Sequence, residues 1–214
     1  MCRCPVKRND FSHAANTRVK WVSIDIMARP KSPEKRLAVF NSAIHAIAQS
    51  GLSASTAAIA KGAAIAEGTL FTYFPTKDDL FNQLYLELKT ETYRRINQNF
   101  PHTARLRDRA RHIWTVTLLW SIESPEARYA SIQLNLSTSV TQQTRDSLVG
   151  DRAAVDQTMS ELSKRGAFEH LPASFVSSAM SAMQQAILDT IASHPRQKSA
   201  MIESGFTAFW QMTK

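Results

Sequence analysis

The sequence predicts an all-α protein, and three observations carry that expectation. Glycine and proline are few, six and eight in 214 residues, and β-branched runs are scarce, which favours helix over sheet. Apolar residues recur at spacings of three and four, the period of one helix face. Capping residues and prolines stand at the ends of those periodic stretches. About nine helices result, grouped as a three-helix N-terminal unit followed by a larger helical body.

The first helix opens at Ser32, a cap followed by Pro33 at the first helical position and Glu34 to complement the helix dipole. Leu37, Phe40, Ile44 and Ile47 form its apolar face, and Gly51 stops it. Ser55 caps a short Ala-rich helix that runs from Thr56 to about Ala63. A third short helix covers about Glu67 to Phe74 and ends at Pro75. Thr76 caps the fourth, with Asp78 and Asp79 in its first turn and Leu80, Leu84 and Leu88 along one side. Five more helices are expected near 104–122, 126–138, 142–165, 173–193 and 197–212, punctuated by Pro101, Pro125, Gly166, Pro172 and Pro195.

Charge divides the chain unevenly. Lys and Arg outnumber Asp and Glu by 26 to 18, a net charge of +8. Residues 1–26 hold +3 and residues 27–77 hold +4, so residues 78–214 are nearly neutral. A basic nucleic-acid reader attached to a neutral partner domain would produce this partition. Residues 1–26 read as a flexible basic tail, and Met27-Ala28-Arg29-Pro30-Lys31 resembles an alternative chain start. Residues 27–77 are then the DNA-binding domain and residues 78–214 the sensing and dimerisation domain.

Other classes find little support. No apolar run exceeds four residues, far below the ~20 of a membrane span. No export signal is recognised, so a cytoplasmic location is expected. Cys2 and Cys4 supply two metal ligands at most, which do not make a site. No phosphate loop, HExxH or Gly-x-Ser-x-Gly occurs, so neither enzyme activity, nor a cofactor, nor a metal is expected. An all-helical enzyme, and a helical DNA-binding or interaction protein that ignores ligands, stand as the alternatives.

Two short helices joined by a tight turn, after a longer one, form a helix-turn-helix. Ala57, Ala60, Ala63 and Ala64 are small enough for close crossing, with Ile59, Ile65 and Leu70 filling the wedge. The third helix would aim its N-terminal amides, Gly68 and Thr69 at a DNA groove. Thr72, Tyr73 and Lys77 would offer hydroxyls and an ammonium to the phosphates.

The string Glu67-Gly68-Thr69-Leu70-Phe71-Thr72-Tyr73-Phe74-Pro75-Thr76-Lys77-Asp78-Asp79-Leu80-Phe81, preceded by Ile59-Ala60-Lys61, resembles the DNA-binding segment of TetR-family transcriptional regulators over residues 33–93. The resemblance implies that Ser55 and Thr56 meet phosphate and that Gly68, Thr69, Phe71 and Thr72 face the groove. It places Tyr73 and Lys77 on the DNA backbone. Two positions depart from the family. Ala64 stands where glycine is frequent, and because alanine resists positive φ, a differently held turn is expected. Glu67 stands where Lys or Arg is frequent; its carboxylate either stabilises the helix N-terminus or accepts from a cytosine amino group.

The resemblance also implies a ligand-released repressor that binds double-stranded DNA at a palindromic operator, as a homodimer joined through the last two helices. Phe175, Met180, Met183, Ile187 and Ile191, then Met201, Ile202, Phe206, Phe209 and Trp210, are candidates for that surface, with burial in the chain's own core as the plainer reading. For a small-molecule effector, Trp114, Thr117, Trp120, Tyr129, Met159 and Met183 are pocket candidates, again with core packing as the alternative. Arg105, Arg107, Arg109 and Arg111 read as a solvated flank rather than a second DNA surface.

Overall fold

Ten α-helices and three short 3-10 turns make up residues 32–214, the part of the chain that the computed structural model describes. The expectations for residues 1–26, Met27, Cys2 and Cys4 lie outside the described residues. The helices are α1 (Pro33–Ser50), α2 (Thr56–Gly62), α3 (Glu67–Tyr73), α4 (Lys77–Asn97) and α5 (Leu106–Glu123). After them come α6 (Pro125–Leu136), α7 (Gln142–Asp146), α8 (Val149–Leu162), α9 (Ala173–Ser193) and α10 (Lys198–Gln211). No strand occurs among the described residues.

The caps are where sequence chemistry puts them. Ser32 and Ser55 accept hydrogen bonds from the amides of Lys35 and Ala58. Thr76 and Asp79 form a reciprocal capping box on α4. Gly51 ends α1 at φ +60°, and its amide reaches back to the Ile47 carbonyl.

One expected helix is two. The stretch 142–165 breaks at Ser147–Leu148 into α7 and α8. Leu148 is buried in the core that holds α1 and α4, whereas Met159 and Leu162 of α8 are buried in a second core. A straight helix could not serve both. Asn82 of α4 fixes the start of α7: its side-chain amide donates to the Ser139 carbonyl, and its oxygen accepts from the Thr141 amide and the Thr144 hydroxyl.

The first core joins Val39, Phe40 and Ile47 of α1 to Ile59, Leu70, Leu80, Leu84 and Leu134. The second joins Ile113, Trp114 and Leu118 of α5 to α8, α9 and α10. Helix α4 serves both, with Leu80 to Leu88 in the first and Ile96 in the second. Each such fully buried side chain contributes roughly 1.5–3 kcal/mol. In the second core the Trp114 indole donates to the Ile202 carbonyl at 2.9 Å and stacks on Phe209. Gly205 lets α10 come this close, because a Cβ there would lie 2.6 Å from Ile187 Cδ1.

The arginines at the start of α5 do not form a simple solvated flank. Arg109 is buried and makes a two-pronged bond to Glu161 of α8, and Arg111 pairs with Glu203 of α10. Arg105 pairs with Asp108 on its own helix. The sequence pattern missed this because the partners lie 52 and 92 residues away.

Candidate nucleic-acid interface

Helix α3 is anchored from beneath and open on its outer side. Leu70 is fully buried, and so is Phe74 just beyond the last turn, with its ring 5.5 Å from that of Phe40. Glu67, Gly68, Phe71 and Thr72 are exposed, and Thr69 is half-buried. Phe71 leaves 40% of its surface uncovered. Around Gly68 the space is empty: a Cβ there would find no atom within 4 Å. The Thr72 hydroxyl donates back to the Gly68 carbonyl at 3.1 Å.

The scaffold beneath depends on small residues, though not all of those expected. Ala60 and Ala63 are buried with Ile59 and Leu70 at the crossing, and Ile65 packs against them. Ala57 and Ala64 are exposed instead. Gly62 was not singled out by its sequence context, yet it sets how close α1 and α2 come. A Cβ at Gly62 would lie 2.3 Å from Ser42 Oγ, which itself donates to the Ile59 carbonyl at 2.8 Å.

Ala64 does adopt the left-handed backbone, at φ +54°. The different turn expected of an alanine is therefore not what forms. The Ala64 and Ile65 amides reach back to the carbonyls of Lys61 and Ala60, closing the end of α2. These two hydrogen bonds offset a Cβ penalty of roughly 1–2 kcal/mol.

The remaining candidates flank α3. Ser55 Oγ is engaged as the cap of α2. Thr56 Oγ1 donates to Glu67 Oε1 at 2.6 Å, joining the starts of α2 and α3. Tyr73 Oη accepts from the Ser32 amide at 2.9 Å, tying α3 to the start of α1. Lys77 Nζ donates to the Leu52 carbonyl at 2.8 Å and lies 5.2 Å from the Phe81 ring centroid. Eight of the nine candidates thus fall on α2, α3 or the first residue of α4, Ser55 caps α2, and six of them are bonded to one another or to the cap and following turn of α1.

In the body, the six pocket candidates do not come together. Trp114 and Met159 are buried in the second core, and Met183 packs against it. Trp120 is buried, Thr117 is half-buried, and Tyr129 is 43% exposed. Two adjoining spaces lie along α6 and α9. A groove of about 520 Å³ is bounded by α4, α6 and α9. A pocket of about 310 Å³ is bounded by α5, α6 and α9. Arg128 and Gln185 line both, and none of the six candidates lines either. His112 is satisfied, with Nε2 2.7 Å from the Ile96 carbonyl. Among the described residues no cluster of metal-ligating side chains occurs, and no helix is long and apolar enough to cross a membrane.

On the last two helices, Met180, Ile191, Ile202, Phe206 and Phe209 are buried in the chain's own core. What faces outward is mostly small: Ser177, Ser178, Ser181, Ala182 and Ala186 on α9, and Ser204, Thr207 and Ala208 on α10.

Comparison with known proteins agrees with this geometry. Residues 39–84 match the family described as bacterial regulatory proteins, tetR family. A tetR-family transcription regulator from Shewanella sp. PV-4 shares 25% identity, with a TM-score of 0.68, over 83% of this chain and 96% of that one. Another from Marinobacter aquaeolei VT8 shares 19% identity, with a TM-score of 0.72, over 84% and 95%. The regulator FadR from Bacillus subtilis, solved with stearoyl-CoA, has the same fold at 15% identity and a TM-score of 0.58, over 81% and 96%. The chain thus carries a segment that matches the tetR family of bacterial regulatory proteins, on a helical fold similar to that of TetR-family transcription regulators.

Proposed function

We propose that this regulator is a repressor that binds a palindromic DNA site as a homodimer and leaves it when a small molecule occupies its body. The observation that carries the DNA reading is the posture of α3, with Leu70 and Phe74 sunk in the core and Glu67, Gly68, Phe71 and Thr72 outward. In this reading residues 27–77 form the reader and residues 78–214 the sensing and pairing domain.

Gly68, Thr69, Phe71 and Thr72 face the major groove, where an absent Cβ at Gly68 allows the backbone to approach the bases. Ser55, Thr56, Tyr73 and Lys77 meet the phosphates. Ser55 acts as an acceptor within the protein, which leaves its hydroxyl proton for a phosphate oxygen. The Thr56 hydroxyl donates its hydrogen bond to Glu67, so its own contribution is the amide in the first turn of α2. Lys77 uses one of three ammonium protons on Leu52.

One short helix reads too few base pairs for useful discrimination, and a two-fold pair doubles the site. Ala186 of α9 and Ser204, Thr207 and Ala208 of α10, which are small, outward and clear of the groove at Arg128, allow close approach of a second copy. Sensing requires that ligand bind the released state better than the DNA-bound state. Helix α4 carries the coupling, since it lies in both cores and Asn82 ties it to the segment that follows α6. Helix α6 itself packs on α1, where Glu126 meets His45 at 3.1 Å. The stearoyl-CoA bound by the Bacillus subtilis neighbour makes a small-molecule response the natural property to test.

Selection of bound sequences from a random duplex library by the full chain tests the proposal. The expected product is an inverted repeat with half-sites about one helical turn, roughly 10 bp, apart. Recovery of unenriched sequence would overturn it.

A further inference from the structure

The groove and pocket that meet at Arg128 combine charge with apolar surface in a way the DNA reading does not use. Lys89 and Arg128 both line the groove. Among the described residues neither is in a salt bridge with a carboxylate, although seven arginines are. Lys89 lies 5.6 Å from the Tyr85 ring centroid, and Arg145 approaches the same ring at 5.3 Å, so two cations share one aromatic ring. Burial, helped by the charge of Arg145, lowers the Lys89 ammonium to about 8. Burial likewise lowers Arg128, opposed by the charge of Asp189. Half-buried cations outside any salt bridge are unfavourable, and an incoming anion would relieve both.

Past Arg128 the surroundings change. The adjoining pocket is walled by Ile122, Leu188 and Ile191, with Asp189 as its acidic residue. An anion is repelled there and an apolar chain is not. Together the two spaces match an elongated molecule with one charged end.

We propose that this site binds a carboxylate-bearing amphiphile, its carboxylate between Lys89 and Arg128 and its apolar tail against Ile122, Leu188 and Ile191. The hydroxyls of Ser177 and Ser181 line the groove beside the head group. The inference rests on the reading of the helical body as a sensor, and it names the ligand class and the place.

The test is calorimetric titration of the full chain with dodecanoate and 4-phenylbutanoate, each beside its uncharged alcohol. At least one carboxylate is expected to bind tenfold or more tightly than its alcohol, because charge-assisted hydrogen bonds are lost with the charge. Lys89→Met and Arg128→Gln should each weaken that carboxylate about tenfold and leave the alcohol unchanged, while Lys89→Arg retains most of the affinity. Circular dichroism confirms that each variant is folded. Equal binding of acid and alcohol, or equal binding by wild type and both charge-removing variants, would overturn the site. DNA binding is scored on the same samples. Charge-dependent binding by a protein that selects no DNA sequence upholds the site and overturns the regulator reading. Selective DNA binding with no preference for either carboxylate overturns the site alone.

Discussion

Thr56 Oγ1 and Glu67 Oε1 are 2.6 Å apart, a hydrogen bond that joins the first residue of α2 to the first residue of α3 across the turn. The carboxylate accepts the hydroxyl proton while sitting at the positive end of the α3 dipole, so it has two local reasons to be there. This supports the helix-start role for Glu67 over base reading. Glu67→Gln keeps an acceptor for Thr56 and removes a charge that repels phosphate. It is expected to raise affinity for specific and non-specific DNA alike and to leave the selected consensus unchanged. Repeating the selection with the variant checks this, and a shifted consensus would assign Glu67 to a base.

Ala64 holds φ +54° with a Cβ. Ala64→Gly removes the steric penalty of roughly 1–2 kcal/mol but loosens the unfolded chain by about 0.4–1 kcal/mol. The net expectation is stabilisation by up to about 1 kcal/mol, measured by urea unfolding. A destabilised variant would mean that the turn carries no strain.

Lys77 has two duties in this account, one to the Leu52 carbonyl and one to a phosphate. Lys77→Ala should lower stability by about 1 kcal/mol and reduce the salt dependence of DNA binding by about one unit of slope. Binding isotherms across a salt series separate the two effects. A stability loss with an unchanged slope would confine Lys77 to its structural contact.

The pair between Arg109 and Glu161 gives a third stability test. Arg109 is buried, and the hydrogen bond it donates holds the Glu161 carboxyl below its ordinary value of 4.5. A carboxyl lowered on folding stabilises above that value, and the contribution is lost as pH falls through the folded-state pKa. Glu161→Gln should cost about 1–3 kcal/mol at neutral pH by leaving a buried guanidinium short of its partner. Arg109→Met combined with Glu161→Gln should recover part of that loss, because no buried charge then remains. Thermal unfolding of both variants at pH 7 and pH 3 tests the sign: the gap between wild type and Glu161→Gln narrows in acid.

Much of this architecture was legible in the sequence, because caps and apolar spacing are local signals. Ser32, Ser55, Thr76 and Gly51 end their helices as read from chemistry alone. The break at Leu148 was not legible: the nearby Gly150 lies inside α8 rather than at the break, and the cause is a side chain drawn into a distant core. The inward turn of Arg109 and the closeness enforced by Gly62 likewise depend on partners far away in the chain. At the interface, residue types pointed to α3, but the bond between Thr56 and Glu67 required the fold. In the body, aromatic and methionine residues were poor guides, because Trp114 and Met159 serve the core while the open space lies at Arg128.

The central claim is that α3 meets DNA through the surface around Gly68. Gly68→Ala tests it most directly, because the added Cβ meets nothing within 4 Å in the protein and alanine is the better helix former by up to about 1 kcal/mol. Fluorescence anisotropy with the selected duplex, beside a melting curve of the free protein, is the measurement. The account predicts an unchanged or higher melting temperature together with a loss of affinity of tenfold or more. Full affinity in a variant that folds as well as wild type would contradict it.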